Sequence, residues 1–368
     1  MSRPAAAQIG AGTVLLGTAL SLTGIMWDVQ WHVDVGPDTF FTLSHLMLYA
    51  GSAVSGIGAL VMVLRATAAH RAGRATDPAE GGRPITVLRV FTAPLGYLVA
   101  GAGAAMFLLY GLMDLWWHTV YGFDAVLGSP PHVALFSAIT VTMVGAVIVY
   151  GYASDRRWGR AGLAIALPIL MTFSPLTTNA FDAMPLPVDA GTVGSTLFGV
   201  LCLVLGLAVV GRPGYTLVIA VVLGAMQAFF WWFAPWASHT YAAATGLPLR
   251  DNLADRAPAL PALSPVFLLL VALVIEAVFR YARRTGGSPR WTPPIAGALG
   301  GLVLALTLDL QRPLIHNGRF FADLLVADAV AGLLAGALGA YAGYRFAGML
   351  RGETVPREPA VRALGATA

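Results

Sequence analysis

The sequence has no lysine, one cysteine and few charges of either sign: 22 arginines and 18 acidic residues in 368 positions, or 11% charged. Soluble domains carry about 25% charged residues, so a water-exposed globular surface is excluded. The lone Cys202 excludes an intramolecular disulfide and reads as a small core residue within a span. The balance of +4 comes from arginines scattered among short loops without an aromatic platform, which gives no nucleic-acid partner.

What is present in their place is apolar: 57% of the residues are hydrophobic. A bilayer core of about 30 Å needs about 20 apolar residues per helix. Ten segments meet this, near 9–29, 41–64, 91–117, 131–153, 161–178, 192–211, 215–237, 263–281, 293–311 and 321–347. They are longer than barrel strands and do not alternate. The expected fold is therefore all-α, a polytopic integral membrane helical bundle of about ten transmembrane helices built from helical hairpins. The first segment reads as a full span rather than a cleaved signal, because no small-residue cleavage pattern follows it.

Without lysine, arginine alone marks the cytoplasmic loops. Arg65, Arg71, Arg74, Arg83 and Arg89 fill the second connection, Arg156, Arg157 and Arg160 the fourth, and Arg212 the sixth. Arg280, Arg283, Arg284 and Arg290 fill the eighth, and Arg351, Arg357 and Arg362 the tail. This pattern predicts localisation in the cytoplasmic membrane with both termini cytoplasmic. The stretch from Arg71 to Arg83, with Gly73, Asp77-Pro78-Ala79-Glu80 and Gly81-Gly82, reads as a flexible linker.

Against this apolar background one polar pattern occurs twice. Asp28-Val-Gln-Trp-His32 is followed by His45, and Asp114-Leu-Trp-Trp-His118 by His132. An Asp and a His four residues apart share a helix face. The last His, thirteen or fourteen residues after the first, folds back across a helix–loop–helix hairpin. Trp31/Trp117, Gly36/Gly122 and Asp38/Asp124 recur at identical offsets. Titratable groups at membrane depth are costly unless something binds them, so Asp28, His32, His45, Asp114, His118 and His132 are candidate metal ligands. Both sets are expected on the extracytoplasmic side.

Two imidazoles and one carboxylate suit non-haem iron, while imidazole-rich sites also suit copper and zinc. The neighbouring Asp34, Asp38 and Asp124 read either as partners fixing imidazole tautomers or as a solvated loop. For the tryptophans beside the histidines, an interfacial aromatic belt is the favoured reading.

These residues resemble a known family. Asp28-Val-Gln-Trp-His32 followed by Asp38-Thr-Phe-Phe-Thr-Leu-Ser-His45 is similar to the signature of the C subunit of the copper membrane monooxygenases, the particulate methane and ammonia monooxygenases. The resemblance implies that Asp28, His32 and His45 hold copper and are the catalytic set. Asp114-Leu-Trp-Trp-His118 and Pro131-His132 resemble the family's second copper position, with Asp114 where the family has Asn. The added charge implies that the two sites differ in affinity or role. The resemblance covers about residues 9–153, which divides the chain into a C-subunit-like four-helix domain, 1–155, and a six-helix extension, 156–368.

The functional expectation is a copper-binding membrane protein, on this resemblance an enzyme or enzyme subunit using copper and O2 to hydroxylate a small apolar substrate. The alternative is non-catalytic copper transport, relay or assembly, and zinc or iron stays open as the metal. Implied partners are the lipid bilayer, the small apolar substrate, and either A- and B-type monooxygenase subunits or a homo-oligomer.

In the extension, the hairpin of spans seven and eight has Trp231, Trp232, Trp236 and His239, with Pro235 and Pro265 at the ligand positions, and reads as a hairpin without a site. Asp309, Arg312, His316, Asp323 and Asp328 gather around the last outer loop and read as a structural polar network, Asp328 lying deepest. Glu276 is expected to pair with Arg280 one turn away, and Asn179, Asp182, Met184 and Asp189 to form an ordinary polar loop.

Overall fold

The structure, a computed structural model, describes residues 3–122, 128–181, 184–253, 256–316 and 322–352. Among them, ten helical segments are long and apolar enough to cross a membrane. The helices are α1 (Arg3–Asp34), α2 (Leu43–Arg71), α3 (Leu95–Tyr121), α4 (Pro130–Tyr152), α5 (Arg157–Phe173), α6 (Ala190–Val210), α7 (Tyr215–Thr245), α8 (Ala259–Leu263), α9 (Leu268–Thr285), α10 (Thr292–His316) and α11 (Ala322–Arg351). One continuous apolar core runs from Ala11 on α1 to Leu350 on α11, and Cys202 lies wholly inside it. Leu108, Leu112, Leu269, Leu273, Leu334 and Leu338 point outward as well. Helices apolar on both faces belong in lipid, so this is an integral membrane protein.

Burial of apolar side chains gives little drive for helices to associate within lipid, so close backbone packing must hold them together. The α10–α11 seam is built this way. Gly297 and Gly301 on α10 meet Gly332 and Gly336 on α11, where a β-carbon on Gly301 would stand 2.2 Å from the Gly332 carbonyl oxygen.

Three features differ from the expectation. Span three was expected from residue 91, but Phe91–Pro94 forms a strand, β2, antiparallel to β1 (Pro84–Val87), and α3 starts at Leu95. Proline disfavours helical geometry in the residue before it. Thr67 Oγ1 also donates to the Thr92 carbonyl at 2.9 Å and accepts from the Thr92 N–H at 3.0 Å, which holds the strand on α2.

The linker expected to be flexible is docked instead. Asp77 caps a 3₁₀ turn at Pro78–Glu80 by accepting from the Ala79 N–H at 2.9 Å, and Arg156 donates to its Oδ2 at 2.5 Å.

The eighth span is broken between α8 and α9 at Ser264-Pro265, where proline interrupts the backbone ladder. Gln311 on α10 mends the break. Its amide donates to the Ala262 and Ser264 carbonyls at 2.8 Å each, and its oxygen accepts from the Val266 N–H at 3.0 Å.

Candidate metal centres

The first centre lies where α1 ends and α2 begins. Asp28 and His32 stand one turn apart on α1, 3.9 Å between Asp28 Oδ2 and His32 Nε2. The chain leaves α1 through Gly36, at φ 103°, where a β-carbon would collide with the Arg250 guanidinium. The Trp31 indole N–H donates to the Pro37 carbonyl at 2.8 Å and fastens the loop to the helix. Asp38 Oδ1 accepts from the Thr39 N–H at 2.7 Å. Its other oxygen faces the imidazoles, 3.1 Å from His32 Nε2 and 3.3 Å from His45 Nε2. Helix α2 returns His45 to within 3.1 Å of Asp28 Oδ1, to which the Ser44 hydroxyl also donates at 2.7 Å.

The second centre repeats the plan on α3 and α4. Asp114 Oδ1 is 3.4 Å from His118 Nε2 and 3.5 Å from His132 Nε2. Asp124 lies outside the described residues. The ring of His132 stacks on Phe136, 6.1 Å between centroids at 17°.

Backbone carbonyls set the tautomer of one histidine in each centre. His45 Nδ1 donates to the Thr39 carbonyl at 3.0 Å and His118 Nδ1 to the Gly122 carbonyl at 3.1 Å. A carbonyl only accepts, so Nδ1 carries a hydrogen and Nε2 is the nitrogen turned toward the carboxylates, the one through which a neutral ring would bind a metal. Metal-ligating histidines are oriented in this way.

The donor sets suit a transition-metal ion. One ligand atom from each of Asp28, His32, Asp38 and His45 lies within 4.8 Å of the others, and the same holds for Asp114, His118 and His132. Metal–ligand bonds of about 2.0–2.2 Å leave neighbouring ligand atoms roughly 3–3.5 Å apart, which the imidazole–carboxylate distances of 3.1–3.5 Å match, Asp28–His32 at 3.9 Å being wider. With neutral imidazoles the first set carries two negative charges and the second, among the described residues, one. Burial pushes the Asp38 carboxyl up, but the His32 hydrogen bond, the His45 charge and the Thr42 hydroxyl outweigh it and hold it below the usual carboxylate range.

The structure thus brings together the six sequence-derived ligands as two triads and adds Asp38 to the first. Its recurrence at the same offset as Asp124 was the available signal. The other neighbours fall elsewhere. Asp34 accepts from Gln30 Nε2 at 2.9 Å and lies 3.1 Å from His239 Nε2 on α7. Trp31 is no belt residue: it is 1% exposed and its ring packs 4.8 Å from that of Tyr241. His239, expected in a hairpin without a site, serves this α1–α7 contact.

Between the centres stands Tyr49 on α2. Its ring stacks at 28° on His45, 6.0 Å away, and lies 6.0 Å from Phe107 on α3.

Elsewhere, Glu276 forms no pair with Arg280. Its Oε1 accepts from the Gly214 N–H at 2.8 Å and the Thr216 hydroxyl at 3.0 Å, closing the start of α7. Asp189 caps α6 by accepting from the Thr192 N–H at 2.6 Å. Asp182 and the side chains of Asn179, His316 and Asp323 lie outside the described residues. Comparison of the chain with family models, curated proteins and solved structures yields no match in any of the three.

Proposed function

We propose that the chain is a copper-binding integral membrane protein of the type its first two hairpins resemble, the C subunit of the copper membrane monooxygenases. The observation that supports this best is the convergence, twice, of two imidazole Nε2 atoms on an aspartate at the mouth of a helical hairpin. Asp28, His32, Asp38 and His45 would hold one ion, and Asp114, His118 and His132 a second. Copper bound there supplies the redox chemistry with O2 that oxidises a small apolar substrate.

The chain's own residues perform the supporting work. The Thr39 and Gly122 carbonyls orient His45 and His118, and the Ser44 hydroxyl holds Asp28. Tyr49 and Phe136 each stack on one histidine, His45 and His132, and Phe107 backs Tyr49. The outward apolar face of α3, with Leu108 and Leu112, gives a membrane-dissolved substrate a route of approach. On the arginine distribution the centres open to the extracytoplasmic side, with the termini in the cytoplasm. A- and B-type subunits, or further copies of the chain, are the partners this reading implies.

A second reading, copper transport, relay or assembly without catalysis, draws on the placement of the two centres on adjacent hairpins with Tyr49 between them. Metal analysis of the purified protein tests the shared premise. Copper near stoichiometric amounts, reduced by one site in the H32A/H45A variant, supports it. Absence of copper, or copper unchanged in that variant, sinks it. Oxygen consumption with a reductant and a small alkane or ammonia, set against copper uptake into proteoliposomes, separates catalysis from transport.

A further inference from the structure

A second polar constellation, apart from both metal centres, forms where α6, α10 and α11 converge. Arg312 Nη2 lies 2.5 Å from Asp189 Oδ1 and donates to the Thr192 hydroxyl at 2.9 Å, while its Nη1 is 3.8 Å from Asp309 Oδ1. The Asp189 N–H donates to Asp328 Oδ1 at 2.8 Å. Two carboxylates therefore flank one guanidinium, and a third, Asp328, is tied to the same cluster through the Asp189 backbone.

Asp328 is 0% exposed and Asp309 7%, and on each the second oxygen, Oδ2, is buried without a hydrogen-bond partner. The charges that act on this pair are their own, Asp189 and Arg312, and no other group on α4, α6, α8, α9, α10 or α11 does so among the described residues. Arg312 and Asp189 neutralise each other. Two carboxylates remain in a setting where an unpaired anion costs several kcal/mol or more.

Among the described residues, their oxygens are not among those that gather tightly enough to hold a metal. Arg312 and Asp189, the pair that touches these two carboxyls, line a cavity of about 250 Å³ together with Thr192, Ser264 and Gln311 at the break between α8 and α9. That volume has room for several waters at about 30 Å³ each. Irregular backbone at membrane depth is tolerated where it lines such a cavity.

We propose that Asp309 and Asp328 form a proton-binding site, in which a proton resides on the otherwise unpartnered carboxyl oxygens and exchanges with cavity water when Arg312 parts from Asp189. Release breaks one carboxylic O–H bond and passes the proton to water as hydronium. The carboxylate left behind is neutralised by the freed Arg312 guanidinium. Asp328, with no cation against it, holds the proton, and Asp309, which borders Arg312, is the exchange partner.

Infrared difference spectroscopy of the purified full-length protein in lipid nanodiscs tests this. The wild type at neutral pH should show the carbonyl stretch of a protonated carboxyl that moves in D2O. One such carboxyl per chain should be lost in D328N, and the band should shift in D309N, with metal content unchanged in both. If D328N does not fold, D309N and the alkaline titration of the wild-type band decide. Absence of the band from the wild type, its persistence unshifted in the variants, or its response to Na+ in place of pH would overturn the proposal.

Discussion

The imidazole Nε2 of His239 lies 3.1 Å from Oδ2 of Asp34, joining α7 to the end of α1 across 205 positions of sequence. Asp34 is buried while His239 is half-exposed, so the two partners are unequal. Loss of His239 leaves Asp34 with Gln30, whereas D34A strands both His239 and the Gln30 amide. We expect D34A to destabilise the protein by about 1–3 kcal/mol and H239A by less, since an unmet buried partner costs more than an exposed one. Thermal unfolding in detergent measures this, and equal losses in the two variants would contradict the asymmetry.

Among the described residues, Asp38 is the ligand candidate that the first centre has and the second does not. Replacing it with Asn removes one of two negative charges while keeping the hydrogen bond to Thr39. Metal affinity of the first centre should fall on the order of 10–100-fold, with the second centre unaffected. Titration of the two centres with a divalent metal, using H118A/H132A to isolate the first, provides the readout.

Gln311 alone satisfies two carbonyls and one N–H at the break in the eighth span. Each buried polar group left unmet costs about 1–3 kcal/mol. Q311L should therefore be among the most destabilising single changes outside the metal centres. Q311E should also be poor, because a carboxylate offers the two carbonyls no donor. A melting temperature in Q311L within error of wild type would refute this account.

At the α10–α11 seam, a β-carbon on Gly301 meets backbone, which cannot yield as a flexible side chain does. G301L should force the helices apart and lower both stability and yield. G111L on α3, where a β-carbon meets nothing within 4 Å, should be tolerated. The pair is compared by size-exclusion profile and thermal unfolding.

The Asp77 carboxyl lies below the usual range, first because the Ala79 N–H binds it and further because of Arg156. A group depressed in the folded state stabilises it above the unfolded value, and the contribution disappears as pH falls through the folded one. D77A should therefore loosen the linker between α2 and α3 at neutral pH, and the difference from wild type should vanish in acid below the carboxylate range. The group is exposed, so the effect is small, below about 1 kcal/mol. Limited proteolysis of the linker as a function of pH follows it.

The helical bundle was legible because span length and apolar composition are local properties of the chain. The two triads were legible for a related reason: an i,i+4 pair and a short hairpin bring Asp28, His32 and His45 together without help from distant sequence. What escaped was decided by contacts across the fold. Asp34 and Asp38 look alike in the sequence, yet His239 takes one and the imidazoles take the other. Trp31 reads as a belt residue until α7 covers it with Tyr241. Glu276 has an arginine one turn away and turns instead to the backbone of Gly214. The break at Ser264-Pro265 announces itself through proline, but the residue that makes it tolerable, Gln311, lies on another helix.

The complete burial of Cys202, in a chain without lysine, makes the protein chemically silent to thiol and side-chain amine reagents applied from either side of a membrane. Any cysteine introduced into a loop thus becomes the sole thiol open to labelling. Placed at Thr39 and at Arg74 in turn, such a handle reads directly which compartment each end of the bundle faces, with no background to subtract.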